Sequence, residues 1–165
     1  MLDILQTAGV SAWEGTVYRH MFGALSPAHS NTTGARWNPP PLEAIYTSCE
    51  RETALAEAEY SIASQPLRPK AKRTLYTIRV SLQNVVDLTA PGLLPLLGIT
   101  DDVLSGSDQS SCRLIGAAVN WLGYDGLLVP SARCGGGTNL VIYRQDPSID
   151  VFEVTSEEVI SPDER

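Results

Sequence analysis

An arginine, a tyrosine and a glutamate stand ten and eleven residues apart in this chain. They are Arg36 in Gly34-Ala35-Arg36-Trp37-Asn38, Tyr46 in Ala44-Ile45-Tyr46, and Glu57 in Thr53-Ala54-Leu55-Ala56-Glu57. A guanidinium is always charged, and its planar fork of donors matches phosphate oxygens. Arg19, upstream, is a second candidate of the same kind, and two such groups entering one cleft would hold a pyrophosphate. An aromatic face such as Tyr46 can stack on a nicotinamide or adenine ring. A carboxylate such as Glu57 can stabilise a sugar that becomes oxocarbenium-like, or hold a ribose hydroxyl while a glycosidic bond breaks. Together these types suit an anionic nucleotide whose reaction builds positive charge on a sugar.

Each residue also has a plain structural reading. An arginine taken at random is a surface ion-pairing group, a tyrosine beside a short strand is core, and a helical glutamate is solvated. Two features favour chemistry. Arg36 lies in a loop between a glycine and Trp37-Asn38-Pro39, where functional residues concentrate. Glu57 is flanked by Ala54, Leu55, Ala56 and Ala58, and an inward carboxylate is costly unless paired or used. Glu59, two positions on, faces elsewhere. Downstream, Ser131 and Asn139 flank Gly135-Gly136-Gly137, whose amides could approach a ligand closely. The run lacks Walker or Rossmann spacing, and no Gly-x-Ser-x-Gly elbow surrounds Ser131. Ser131 reads as a hydrogen-bond donor to substrate, and Asn139 as a supporting group.

The elements that must position these groups are short. Gly15–His20 reads as a first strand, 26–33 as a loop, and Pro39-Pro40-Pro41 as extended or turning backbone. Ala44–Ser48 reads as a strand. Helical spacing of Ala54, Leu55, Ala58 and Ile62 predicts a helix over Glu50–Ser64, capped by Ser48 or Glu50 and ended by Pro66. Alternation predicts a strand over Thr74–Leu82 and a separate one over Val85–Leu88. Pro91–Gly98 reads as a short helix or turn, and Ser110–Leu122 as a second good helix. Strands are expected at Gly126–Val129, Leu140–Tyr143 and Ile149–Val154. The sum is a single mixed α+β domain of short strands and a few helices, not a doubly wound parallel sheet.

Composition narrows the class. The 165 residues, 43% hydrophobic and 19% charged, suffice for one domain with a real core. The net charge of −7 argues against broad nucleic-acid binding but not against an anionic small molecule, which needs only local positive charge. No apolar run approaches the roughly 20 residues of a bilayer span, and Met1-Leu2-Asp3-Ile4-Leu5 lacks a signal-peptide pattern. Cys49, Cys112 and Cys134 are dispersed, and only His20 and His29 supply imidazole, so no metal is expected. A cytoplasmic address follows. Acidic residues gather late, from Asp146 to Glu164, and read as a solvated extension over 144–165.

In order along the chain, Val17-Tyr18-Arg19, Gly34-Ala35-Arg36-Trp37-Asn38, Ile45-Tyr46-Thr47, Thr53 to Glu57, and Leu128 to Ala132 with Asn139-Leu140 match the pattern of the RES-domain family. The sequence resembles that family from about Val17 to Tyr143. The resemblance implies a fold like that of ADP-ribosyltransferase toxins. It implies a toxin of a toxin–antitoxin pair that destroys NAD at the nicotinamide–ribose bond, with water or phosphate as acceptor. NAD is then substrate, and no cofactor is implied. The implied partner is an Xre-like helix-turn-helix antitoxin that covers the active site. On that implication Arg19 and Arg36 hold phosphates, Tyr46 lines the nicotinamide or ribose pocket, Glu57 stabilises the transition state, and Ser131 hydrogen-bonds substrate. The chain departs from the family in having Gly34-Ala35 where a glycine pair is usual. His20, beside Arg19, has no role in the pattern.

Two other functions fit the same residues. One is transfer of ADP-ribose to a macromolecule; the other is a module that binds NAD and leaves it intact. Oligomeric state stays open, a homo-oligomer included.

Overall fold

The computed structural model describes residues 1–161. Asp163 and Glu164, the end of the acidic extension, lie outside the described residues. Six strands form one sheet: β1 Ser11–Phe22, β2 Ile45–Ser48, β3 Arg73–Asp87, β4 Gly126–Pro130, β5 Thr138–Ile142 and β6 Val151–Ile160. Five helices accompany it: α1 Leu2–Ala8, α2 Arg51–Ala63, α3 Leu93–Leu96, α4 Asp101–Ser105 and α5 Ser110–Trp121. The architecture is a mixed α+β domain.

The strands pair in the order β1-β2-β5-β4-β3-β6, and β1 pairs with β3 as well, so five of them close on themselves. The closure is uneven. β1 and β3 share a long antiparallel ladder from Ser11↔Val85 to Phe22↔Arg73, whereas β1 meets β2 only at Tyr18↔Ser48. Beyond that point β1 and β2 part company, and a cleft opens between them. The β3–β4 pair is parallel and the other pairs are antiparallel.

β3 is one strand, not two. Gln83 and Asn84, a polar pair in the middle of the apolar alternation, are exposed positions that β3 passes through. Its far edge is shared, since Arg73–Ser81 pairs with β6 and Val85–Asp87 with β4. The acidic segment is accordingly built into the sheet as far as Ile160. On it, Glu153 and Glu158 meet Arg79 and Arg51 at 2.9 and 2.7 Å.

Two apolar clusters hold the fold. Val17, Ile78, Val80, Leu82, Leu140 and Ile142 pack inside the closed part of the sheet. Leu5, Trp37, Val86, Ile115, Val119 and Leu127 join α1, α5 and the Arg36 loop to the sheet. Gly116 is where the loop meets α5: a Cβ there would lie 1.7 Å from the Trp37 carbonyl oxygen, so a residue without one is required. The same oxygen accepts a hydrogen bond from the Tyr143 hydroxyl at 2.7 Å.

Candidate active site

α2 carries Glu57 on the face that looks into the cleft. The helix follows from its alanines and apolar spacing, and Thr53, Ala54, Ala58 and Ile62 are its buried positions. Glu50 stands at the N-cap without capping by its own side chain; its Oε2 accepts from the Thr53 hydroxyl at 2.9 Å and from the Thr138 amide at 3.0 Å. This ties the start of α2 to β5. Gly137 makes the approach possible, because a Cβ there would lie 2.3 Å from the Thr53 hydroxyl oxygen.

One turn further along α2, Glu57 meets the same hairpin. Its Oε1 accepts from the Ser131 hydroxyl at 2.6 Å and from the Asn139 amide nitrogen at 2.8 Å. Both donors land on one oxygen, so Oε2 has no hydrogen-bond partner among the described residues. The two donors are themselves fixed. The Ser131 hydroxyl oxygen accepts from the amides of Arg133 and Cys134, each at 3.1 Å, and the Asn139 Oδ1 accepts from the Ser48 hydroxyl at 2.8 Å. Ser131, expected to hydrogen-bond substrate, donates to Glu57 in this structure. It orients the carboxylate, and Asn139 does the same.

The cleft has two lobes, of about 440 and 350 Å³. Ala35, Tyr46, Glu57, Ser61 and Asn139 line both, so the carboxylate sits on the divide. Arg19 and His20 line the larger lobe, and Arg36, Gln109 and Arg133 the smaller. Arg19 and Arg36 therefore enter from opposite sides of Glu57. Arg19 donates to the Pro27 carbonyl, and burial lowers its guanidinium to about 10, which leaves it charged at neutral pH. Arg36 donates to the carbonyls of Gly106 at 2.9 Å and Val103 at 3.4 Å.

Tyr46 anchors the Arg36 loop. Its hydroxyl donates to the Asn38 Oδ1 at 2.6 Å and accepts from the Trp37 amide at 2.9 Å. Asn38 is fully buried and also donates to the Leu42 carbonyl at 2.7 Å. Burial raises the phenol well above its ordinary value, with the Trp37 amide and the nearby Arg113 and Arg36 opposing the shift. Tyr46 thus offers the cleft a ring face, while its hydroxyl belongs to the loop.

Three residues that the sequence did not single out complete the site. Arg113 donates to the Ala35 carbonyl at 2.9 Å and braces the loop from α5. Arg133 stacks its guanidinium on the Tyr60 ring, 3.4 Å from the centroid, and donates to the Ser105 carbonyl at 3.3 Å. Its position two residues after Ser131 was the available signal. Arg73 donates to the His20 Nε2 at 3.0 Å and pairs with Glu59 at 2.6 Å. That network gives His20 a role: it is held neutral, its pKa lowered to about 4 by burial and then by Arg73, with Glu59 opposing.

The guanidinium groups divide by the kind of partner they have. Arg51, Arg68, Arg73 and Arg79 pair with glutamates. Among the described residues Arg19, Arg36, Arg113 and Arg133 have carbonyl, amide or ring partners and no carboxylate. In a chain of net charge −7, three of these, Arg19, Arg36 and Arg133, line the cleft and make it locally positive. Among the described residues, no group of three or more His, Cys, Asp or Glu converges as for a metal ion, and no helix is long and apolar enough to cross a membrane.

The RES-domain family model matches residues 12–162. The chain belongs to the RES-domain family. The NAD(+) phosphorylase MbcT of Mycobacterium tuberculosis is 34% identical to this RES domain over 151 residues, covering 86% of this chain and 79% of that protein. MbcT of Mycobacterium bovis matches to the same extent. The crystal structure of the M. tuberculosis MbcT-MbcA toxin-antitoxin complex superimposes with a TM-score of 0.85 at 30% identity, over 98% of this chain and 92% of that one. The match extends through β6, so the acidic segment is part of the RES domain.

Proposed function

We propose that this RES domain is the NAD-depleting toxin of a toxin–antitoxin pair and that it cleaves the nicotinamide–ribose bond, passing the ADP-ribosyl group to phosphate or water. The observation that carries the reading is Glu57, held through one oxygen by Ser131 and Asn139, on the divide between two lobes that each bear an acid-free arginine. The named activity of MbcT, at 34% identity, supports it. On this reading the fold groups with ADP-ribosyltransferase toxins, the address is cytoplasmic, and the partner is an Xre-like helix-turn-helix antitoxin that covers the cleft.

The chemistry follows from charge. Nicotinamide leaves NAD as a neutral molecule because its ring nitrogen is cationic beforehand, so no strong general acid is needed. What the protein must supply is binding of the phosphates and stabilisation of the cationic ribosyl centre in the transition state. Glu57 faces that centre with its free Oε2. Ser131 and Asn139 fix the carboxylate in advance, so little reorganisation is needed as charge develops. Tyr46 provides the ring surface, and Arg19 and Arg36 the cationic flanks.

The cellular test is inducible expression in a bacterium with NAD measured over time. The reading predicts a fall in NAD and arrested growth, both relieved by co-expressing a helix-turn-helix protein encoded beside this one. Normal NAD levels at high expression of folded protein would overturn it.

A further inference from the structure

The smaller lobe holds two guanidinium groups, and both are gathered by a single element. α4 ends at Ser105, and the carbonyls around its C-terminus collect two guanidinium groups. Arg36 takes those of Val103 and Gly106, and Arg133 takes that of Ser105. Both arginines line the lobe, beside Glu57. The single bond from Arg133 to Ser105 is long, at 3.3 Å, and the Tyr60 ring supports the other side of the fork. Most of its N–H groups remain for a ligand. Gln109, on the same wall, adds an amide, and is itself steadied by Arg113 at 3.2 Å.

Two forks and an amide at one wall suit a compact oxyanion. Such an anion has two sources here, the pyrophosphate of the dinucleotide and free inorganic phosphate. The position of Glu57 decides between them. Displacement at a sugar carbon needs the leaving group and the acceptor on different sides of that carbon. A carboxylate on the divide of two lobes puts the ribosyl centre at the divide. Arg19 supplies the larger lobe with a cation of its own for the dinucleotide. Resting on the NAD-cleaving reading above, we infer that the Arg36–Arg133 lobe is the acceptor site, that its ligand is inorganic phosphate, and that Arg133 selects phosphate over water.

The step balances without a further reagent. A phosphate oxygen bonds to the ribose C1′, the C1′–N bond breaks, and its electron pair leaves with nicotinamide, which becomes neutral. The product is the 1-phosphate monoester of the ADP-ribosyl group. With water as acceptor the product is ADP-ribose, and one proton is released.

The test is steady-state kinetics of the full chain with NAD and inorganic phosphate, resolving both ribosyl products. Arg133→Ala is expected to raise the KM for phosphate at least tenfold, to leave the KM for NAD within threefold, and to shift product from the 1-phosphate toward ADP-ribose. Arg133→Lys, which keeps the charge and loses the fork, falls between and serves if the alanine variant does not fold. Wild-type phosphate KM and product ratio in both variants would overturn the inference. So would a rise in the KM for NAD alone, since that assigns Arg133 to the pyrophosphate. A wild-type enzyme that cleaves NAD but forms no 1-phosphate overturns the acceptor site and spares the NAD reading. A wild-type protein that releases no nicotinamide overturns both.

Discussion

Ser131 donates its hydroxyl hydrogen to the Oε1 of Glu57 at 2.6 Å, across 74 residues of sequence. The serine of the RES pattern is thus bonded to its glutamate. Ser131→Ala should lower kcat about ten- to a hundredfold, or about 1.4–2.7 kcal/mol, with KM for NAD changed much less. Ser131→Thr should recover part of the loss. A variant that raises KM and keeps kcat would return Ser131 to direct substrate contact.

Glu57→Gln keeps the size of the side chain and its acceptor oxygen but removes the charge. The expected loss in turnover is about a hundred- to a thousandfold, the scale seen when one electrostatic stabiliser is removed. Its melting temperature should stay close to that of the wild type. Near-normal nicotinamide release from folded Glu57→Gln would mean that another group stabilises the ribosyl centre.

Tyr46→Phe leaves the ring in the cleft and removes the anchor of the Arg36 loop. The Trp37 amide and the buried Asn38 Oδ1 each lose a partner. A loss of about 1–3 kcal/mol in unfolding free energy is expected, with a rise in substrate KM as Arg36 loosens. Chemical denaturation reads the first and kinetics the second; an unchanged midpoint would show that the loop does not depend on the phenol.

Gly116→Ala presses a methyl into the Trp37 carbonyl, so the loop or α5 must shift. The expected cost is about 1–3 kcal/mol, read as a fall in melting temperature of several degrees. A variant as stable as the wild type would place slack where the packing shows none.

His20 makes stability depend on pH. Its folded pKa of about 4 lies below the ordinary 6.5, so below pH 6.5 the unfolded chain binds the proton first. The stabilising contribution is complete above pH 6.5, falls as pH drops toward 4, and then levels off. His20→Asn should flatten the difference between urea midpoints at pH 7 and pH 4.5. Equal slopes for variant and wild type would remove His20 as the cause.

Much of this was legible in the chain because it depends on local pattern. α2 follows from alanine spacing, and the inward carboxylate from its apolar flanks; Arg36, Tyr46 and Glu57 do meet at one cleft. What was not legible depends on long-range partners. β3 looked like two strands because Gln83-Asn84 breaks the alternation, and only pairing with β1 and β4 carries the backbone through. The acidic segment looked like a loose extension because its glutamates alternate poorly, yet the ladder to β3 and Arg51 and Arg79 receive it. α4 is five residues long, too short for periodicity, although Thr100 before Asp101-Asp102 was a capping signal, and its hydroxyl accepts from the Val103 amide. The place of Arg133 was not legible because its partners, Tyr60 on α2 and Ser105 at the end of α4, are distant in sequence.

The most direct test of the central claim is incubation of purified, partner-free protein with NAD, with and without inorganic phosphate, followed by separation of products. The account predicts nicotinamide release, together with a phosphorylated ADP-ribosyl product when phosphate is present. Intact NAD after incubation with folded protein would contradict it and leave a domain that binds the dinucleotide without cleaving it.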